Sequence, residues 1–226
     1  MKLNPIERRV LGVLMEKSMT QPEYYPMTLS AVVAGCNQKS NRDPAMELDE
    51  VAVDATLAGL RKRGLVEQLF PAPGGRTDRF RHKVEAVFGW GGRERAIMTE
   101  LLLRGPQTIG ELRTHCSRMI PFENLETVTN VLEALSRLDP PIVAAMPREP
   151  GRSAVRYTHL LYPEDEAPSP AGPAAAGPFT SPDKPAAGAS PVHGSRSNLH
   201  QEVDDLRRQV DELRRRLDQL ESNLGG

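Results

Sequence analysis

TLSAVVAGC (Thr28–Cys36) and TIGELRTHC (Thr108–Cys116) set a Thr, an aliphatic residue, a second aliphatic and a Cys at identical spacing. The flanking sequence extends this match in both directions. ERRVLGVLMEK (Glu7–Lys17) precedes the first segment as ERAIMTELLLR (Glu94–Arg104) precedes the second. Downstream, VDATLAGL (Val53–Leu60) answers VTNVLEAL (Val128–Leu135), and GRTDRFRH (Gly75–His82) answers GRSAVRYTH (Gly151–His159). Four matches in one order mark a duplicated unit, each copy of about 75 to 85 residues.

Each copy reads as three helices followed by a hairpin. In the first, Asn4 caps a helix that opens on Pro5 and Glu7 and carries Val10, Leu11, Leu14 and Met15 at helical spacing. Thr28 caps a second helix, and a third begins near Asp49, aligns Val53, Leu57 and Leu60, and stops at Gly64. Leu65–Phe70 and Asp78–Val84 read as strands around PAPGGR. The second copy predicts helices near Glu94–Arg104, Ile109–Cys116 and Asn124–Leu138, then strands near Ile142–Met146 and Val155–Leu161. This order is that of a winged helix-turn-helix. The expected fold is mainly α with small β-hairpins: two tandem winged-helix domains, 1–90 and 91–165, then a linker and a coiled-coil helix.

The linker, 166–198, holds seven Pro, eight Ala, four Gly and five Ser in 33 residues, a composition that cannot bury a core and predicts a disordered tether. Beyond it, Leu199, Val203, Leu206, Val210, Leu213, Leu217, Leu220 and Leu224 alternate steps of four and three. Val at a and Leu at d favour a parallel two-stranded coiled coil, and Glu202 with Arg207 and Arg216 with Glu221 pair across that seam. The segment 199–226 therefore predicts a homodimer; the alternative is an amphipathic helix packed on its own domains.

The 29 Lys and Arg against 30 Asp and Glu leave no global field to draw the chain onto nucleic acid or an anionic membrane. Two cysteines, Cys36 and Cys116, are too few for a disulfide framework or a four-cysteine zinc site and suit a reducing compartment. The start MKLNPIERRV lacks a signal peptide's apolar run, and no stretch is long enough to span a bilayer, so the expected location is cytoplasmic. His82 and His159 match across the repeat and are expected to serve strand packing. Neither nucleophile geometry, phosphate loop nor metal spacing is legible, so no enzyme activity, catalytic residue, cofactor or metal is expected.

CNQKSNRDP (Cys36–Pro44), LLLRGPQTIGELR (Leu101–Arg113) and REPGRSAVRYTHL (Arg148–Leu160) resemble signature segments of the YceH-like family of uncharacterised bacterial proteins. The resemblance covers Leu3 to about Tyr162. It implies tandem winged helices and, in many members, a C-terminal coiled coil. It implies no catalytic or binding residues.

A winged helix that reads DNA lays its third helix in the major groove, where cations or amides must reach bases beside phosphates. Here that helix carries Asp49, Glu50 and Asp54 in one copy and Glu126 and Glu133 in the other, with Glu123 just ahead. Such carboxylates are repelled by a phosphate wall. The cations lie elsewhere: Lys39 and Arg42 in the loop before the third helix, Arg76, Arg79, Arg81 and Lys83 on the first hairpin, Arg148, Arg152 and Arg156 on the second. These nine are the expected contacts to double-stranded DNA, in a protein expected to regulate transcription. Edge strands are also charged simply to block edge-to-edge pairing. The rival expectation is a protein-interaction scaffold using the acidic third helices.

Overall fold

The computed structural model describes residues 1–71, 77–148 and 154–166. Arg76, Arg152, the linker from 167 onward and the zipper positions of 199–226 lie outside the described residues. The chain is mainly helical with two small antiparallel sheets.

The first half runs α1 (Pro5–Thr20), β1 (Met27–Thr28), α2 (Leu29–Cys36), α3 (Glu50–Lys62), β2 (Val66–Leu69), β3 (Arg79–His82) and the short α4 (Val84–Phe88). The second runs α5 (Gly92–Arg104), β4 (Gln107–Thr108), α6 (Ile109–Cys116), α7 (Leu125–Ser136), β5 (Val143–Ala145) and β6 (Arg156–His159). The caps form where local chemistry demands. Asn4 and Glu7 close a reciprocal capping box on α1, and Thr108 and Glu111 close another on α6. Asp49 and Asn124 accept from the backbone N–H three residues on, at the starts of α3 and α7.

Strand pairing reproduces the sequence repeat residue by residue. Arg79 lies opposite Thr28 and Phe80 opposite Met27; Arg156 lies opposite Thr108 and Tyr157 opposite Gln107. His82 faces Val66 as His159 faces Val143. Each expected hairpin is thus the larger part of a three-stranded sheet, in the orders β1-β3-β2 and β4-β6-β5. The third strand is two residues long, too short to show alternation, and it runs directly into a Thr cap. The expected strands of the second copy shorten at both ends, and α4 was not expected at all, its five residues being too few for a helical period to register.

One hydrophobic core runs through both halves, with α1 packed on α5. Gly12 allows that close approach: a Cβ there would sit 2.8 Å from Leu103 Cδ2. Main-chain bonds add to it, from Asp43 N to Leu103 O (2.8 Å) and from Leu3 N to Leu161 O (2.7 Å). Two sets of three helices and a sheet therefore form one compact body.

Candidate interaction surfaces

The pleat of β3 turns Arg79 and Arg81 outward with Lys83 just beyond, while Phe80 and His82 face the core. These three cations do share a face. Two of them already have partners. Arg79 Nη1 donates to Pro26 O at 2.8 Å, and Arg81 Nε donates to Glu67 Oε2 at 2.7 Å across the β2–β3 pair. The hydrogen bond and charge of Arg81 hold the Glu67 carboxyl below its ordinary range.

On β6 the pattern is not repeated. Arg156 occupies the place of Arg79, but the counterpart of Arg81 is Thr158, which is buried. Arg156 Nη2 lies 3.6 Å from Glu111 Oε1. Arg148 is exposed at the end of β5's exit, and Lys39 is exposed in the loop after α2.

Arg42 departs from expectation. It is only 7% exposed and points inward, so it cannot reach a duplex. Its Nη2 contacts Glu16 Oε2 at 2.5 Å, its Nε donates to Gly35 O at 3.1 Å, and Gln38 accepts another of its hydrogens. The loop that carries it is folded back by Asn41, which adopts the left-handed φ of 59°, and is held by Asn37, bonded to both N and O of Leu48. Arg9, also buried, donates to Cys36 O. A charged residue in a polar loop carries no local mark of this burial.

Glu16 belongs to a cluster that sequence reasoning missed. Arg118, in the loop after α6, pairs through Nη1 with Glu16 of α1 and through Nη2 with Glu100 of α5, the latter at 2.7 Å. Arg104 Nε lies 3.1 Å from Glu100 Oε2. The carboxylates are essentially sealed from solvent, Glu16 at 1% and Glu100 at 0%. Burial pushes Glu16 up, but the hydrogen bonds and charges of Arg42 and Arg118 outweigh it and hold the group ionised below its usual range. A signal existed: Glu16 directly follows the apolar run Val13–Leu14–Met15, and Glu100 sits between Ile97 and Leu101–Leu103.

The third helices present a different surface. On α3, Val53, Leu57 and Leu60 face the core, leaving Glu50, Val51, Asp54 and Ala55 outward, with Val51 78% exposed. On α7, Val128, Val131, Leu132 and Leu135 are buried, and Leu125, Glu126, Asn130, Glu133 and Ala134 face solvent, with Leu125 52% exposed. Each helix thus offers a bare aliphatic side chain in its first turn beside carboxylates.

Burial pushes the Cys36 thiol up to about 12 and the Cys116 thiol up as well, so neither is a thiolate nucleophile. Among the described residues no group of three metal-ligating side chains comes together, and no helix is long and apolar enough to cross a membrane.

Residues 3–152 match the family described as "Protein of unknown function, DUF480". A UPF0502 protein of Koribacter versatilis is 50% identical over 170 residues, 75% of this chain and 78% of the relative. Another from Geobacter sulfurreducens is 48% identical over 164 residues, 73% of this chain and 74% of that protein.

Proposed function

This chain belongs to the DUF480 family of proteins of unknown function, and from its geometry we propose that its two halves are fused winged-helix modules that dock a protein partner on the outer faces of α3 and α7. One observation carries this reading. The faces that would enter a major groove bear Glu50, Asp54, Glu126 and Glu133 beside exposed Val51 and Leu125, which suits a cationic, apolar-anchored protein surface and opposes phosphate. The tie between Arg118, Glu16 and Glu100 supports a scaffold whose two docking faces keep one spacing. A zipper over 199–226 would pair two such scaffolds in the cytoplasm, raising the effective concentration of their faces.

The test is affinity capture with the full chain as bait, followed by V51D combined with L125D. Both positions are exposed, so the variant keeps the parent's unfolding midpoint. It is expected to lose a stoichiometric partner; retention of that partner at parental level rejects the docking faces.

A second reading has its own observation, the shared face of Arg79, Arg81 and Lys83. With Lys39, Arg76, Arg148, Arg152 and Arg156 these would grip DNA phosphates from the wings. R79A with R81A and K83A then lowers affinity for random duplex uniformly and reduces the slope of log affinity against log salt by about 0.9 per cation removed. No binding of random duplex at low ionic strength rejects it.

A further inference from the structure

The duplication supplies its own comparison for α3, because α7 is the equivalent helix of the second copy. Val53, Leu57 and Leu60 answer Val128, Leu132 and Leu135 position for position, and all six are buried. On the opposite side α7 carries Glu126, Asn130, Glu133 and Arg137 at steps of four, three and four, all exposed and braced by the Glu133–Arg137 pair. In α3 the same four places hold Val51, Ala55, Ala58 and Lys62. The inner side of α3 packs on α1, α2 and β2, while Val51 stands 78% exposed on the outer one. A charged, hydrated stripe satisfies the fold at α7, so the bare stripe of α3 serves something outside that fold.

Two further observations say what covers it. Gly59 borders the stripe inside the helix, where glycine is a weaker helix former than alanine, yet a Cβ placed there would meet nothing within 4 Å. Among the described residues nothing repays that glycine; the close approach of a second backbone does. The charges point to the identity of that backbone. Glu50 and Asp54 lie at the start of α3, Arg61 and Lys62 at its end, and all four are exposed. None of them meets an opposite charge within 4 Å among the described residues. A rod that is negative at one end and positive at the other is complementary to itself when reversed, as a twofold interface demands.

We propose that α3 docks on α3 of a second copy of this chain, the two helices antiparallel about a twofold axis between Ala55 and Ala58. Val51 of one copy then packs on the aliphatic stem of Lys62 of the other. Ala55 meets Ala58 and Gly59 lets the backbones close, while Glu50 and Asp54 face Lys62 and Arg61. The inference rests on the reading of α3 as a docking face and names its partner; α7, whose stripe is charged, is left to a different one. At 13 residues α3 is about 20 Å long. One such contact is smaller than the roughly 800 Å² per partner of a stable interface, so the pairing is reversible and is read by trapping.

Cys36 and Cys116 are buried, so a cysteine introduced on α3 is the reactive thiol. Full-length V51C and K62C chains, mixed in equal amounts and treated with a short thiol cross-linker, test the geometry. The V51C–K62C product is expected to exceed V51C joined to itself, and to exceed the product of K62C with E126C, the α7 counterpart of V51C. Charge supplies an independent arm. E50K/D54K and R61E/K62E, each carrying A55C, should each trap about tenfold less dimer than A55C by itself and regain it when mixed, because like charges then face opposite ones. All these positions are exposed, so each variant keeps the parent's unfolding midpoint. A V51C–K62C yield no higher than that of E126C with K62C overturns the pairing, as does an excess of V51C joined to itself or a mixture of charge variants that stays unlinked. Capture of another protein through Val51 without any such cross-link also overturns the self-pairing, and leaves α3 standing as a docking face.

Discussion

Replacing Arg118 by alanine removes the one side chain among the described residues that touches both Glu16 on α1 and Glu100 on α5. Stranding a fully buried ion costs about 3–5 kcal/mol. Neither carboxylate is wholly stranded here: Glu16 keeps Arg42 at 2.5 Å, and Glu100 keeps Arg104 at 3.1 Å. The lost guanidinium is itself 29% exposed, so water screens part of its attraction. The expected loss is about 2 kcal/mol, a sizeable share of the 5–15 kcal/mol typical of a folded domain. In urea that lowers the unfolding midpoint by roughly 1 M, for a slope of about 2 kcal/mol per M. R137A is the control, because Arg137 is 77% and its partner Glu133 49% exposed, and such a pair contributes about 0.5 kcal/mol or less. An R118A variant as stable as R137A would refute the reasoning. So would two separate unfolding transitions in the unmutated protein, because a shared core tied by this cluster should melt as one.

Acid should weaken the fold through its two buried imidazoles. Burial pushes His82 to about 4 and His159, with Arg8 nearby, to about 3, both below the ordinary 6.5. The unfolded chain therefore takes up protons that the folded one refuses: stability holds above about pH 6.5 and falls below it by up to about 1.4 kcal/mol per pH unit for each histidine. Urea midpoints measured from pH 8 to pH 5 read this, and a flat profile below 6.5 contradicts it. Gly12→Ala should cost about 1–2 kcal/mol despite the better helix former, since the new Cβ meets Leu103 Cγ at 2.9 Å and Leu103 is fully buried; a raised melting temperature would refute the close packing of α1 on α5. Asn37→Ala removes both bonds to Leu48 and should cost about 2 kcal/mol in the same urea assay, at about 1 kcal/mol per bond.

What proved legible in the residues was whatever a few neighbours decide among themselves. Asn4 and Thr28 act as the expected caps, and Asp49, Thr108 and Asn124 cap in the same way, because a side-chain oxygen needs only the N–H three residues on. The outward set Arg79, Arg81 and Lys83 follows from the period of a strand. Cys36 and Cys116, placed beside aliphatic residues, are buried as such positions imply. The duplication itself is a property of the string, and pairing in both sheets keeps its alignment.

Charge pairing obeys no such locality. Arg42 meets Glu16 across 26 positions and Arg118 meets it across 102, separations at which no spacing rule operates. Whether a cation in a polar loop serves solvent, a ligand or a buried carboxylate depends on which helix the loop is folded against, as does the fate of Arg81 once β2 brings Glu67 alongside. The amino-acid sequence by itself determined three helices in each half, the outward face of β3 and the twofold repetition, because hydrogen bonds and side-chain periods act over a few residues. Only the tertiary structure decided which charges remain available, because Coulomb attraction and burial act through space and join residues that the chain keeps far apart.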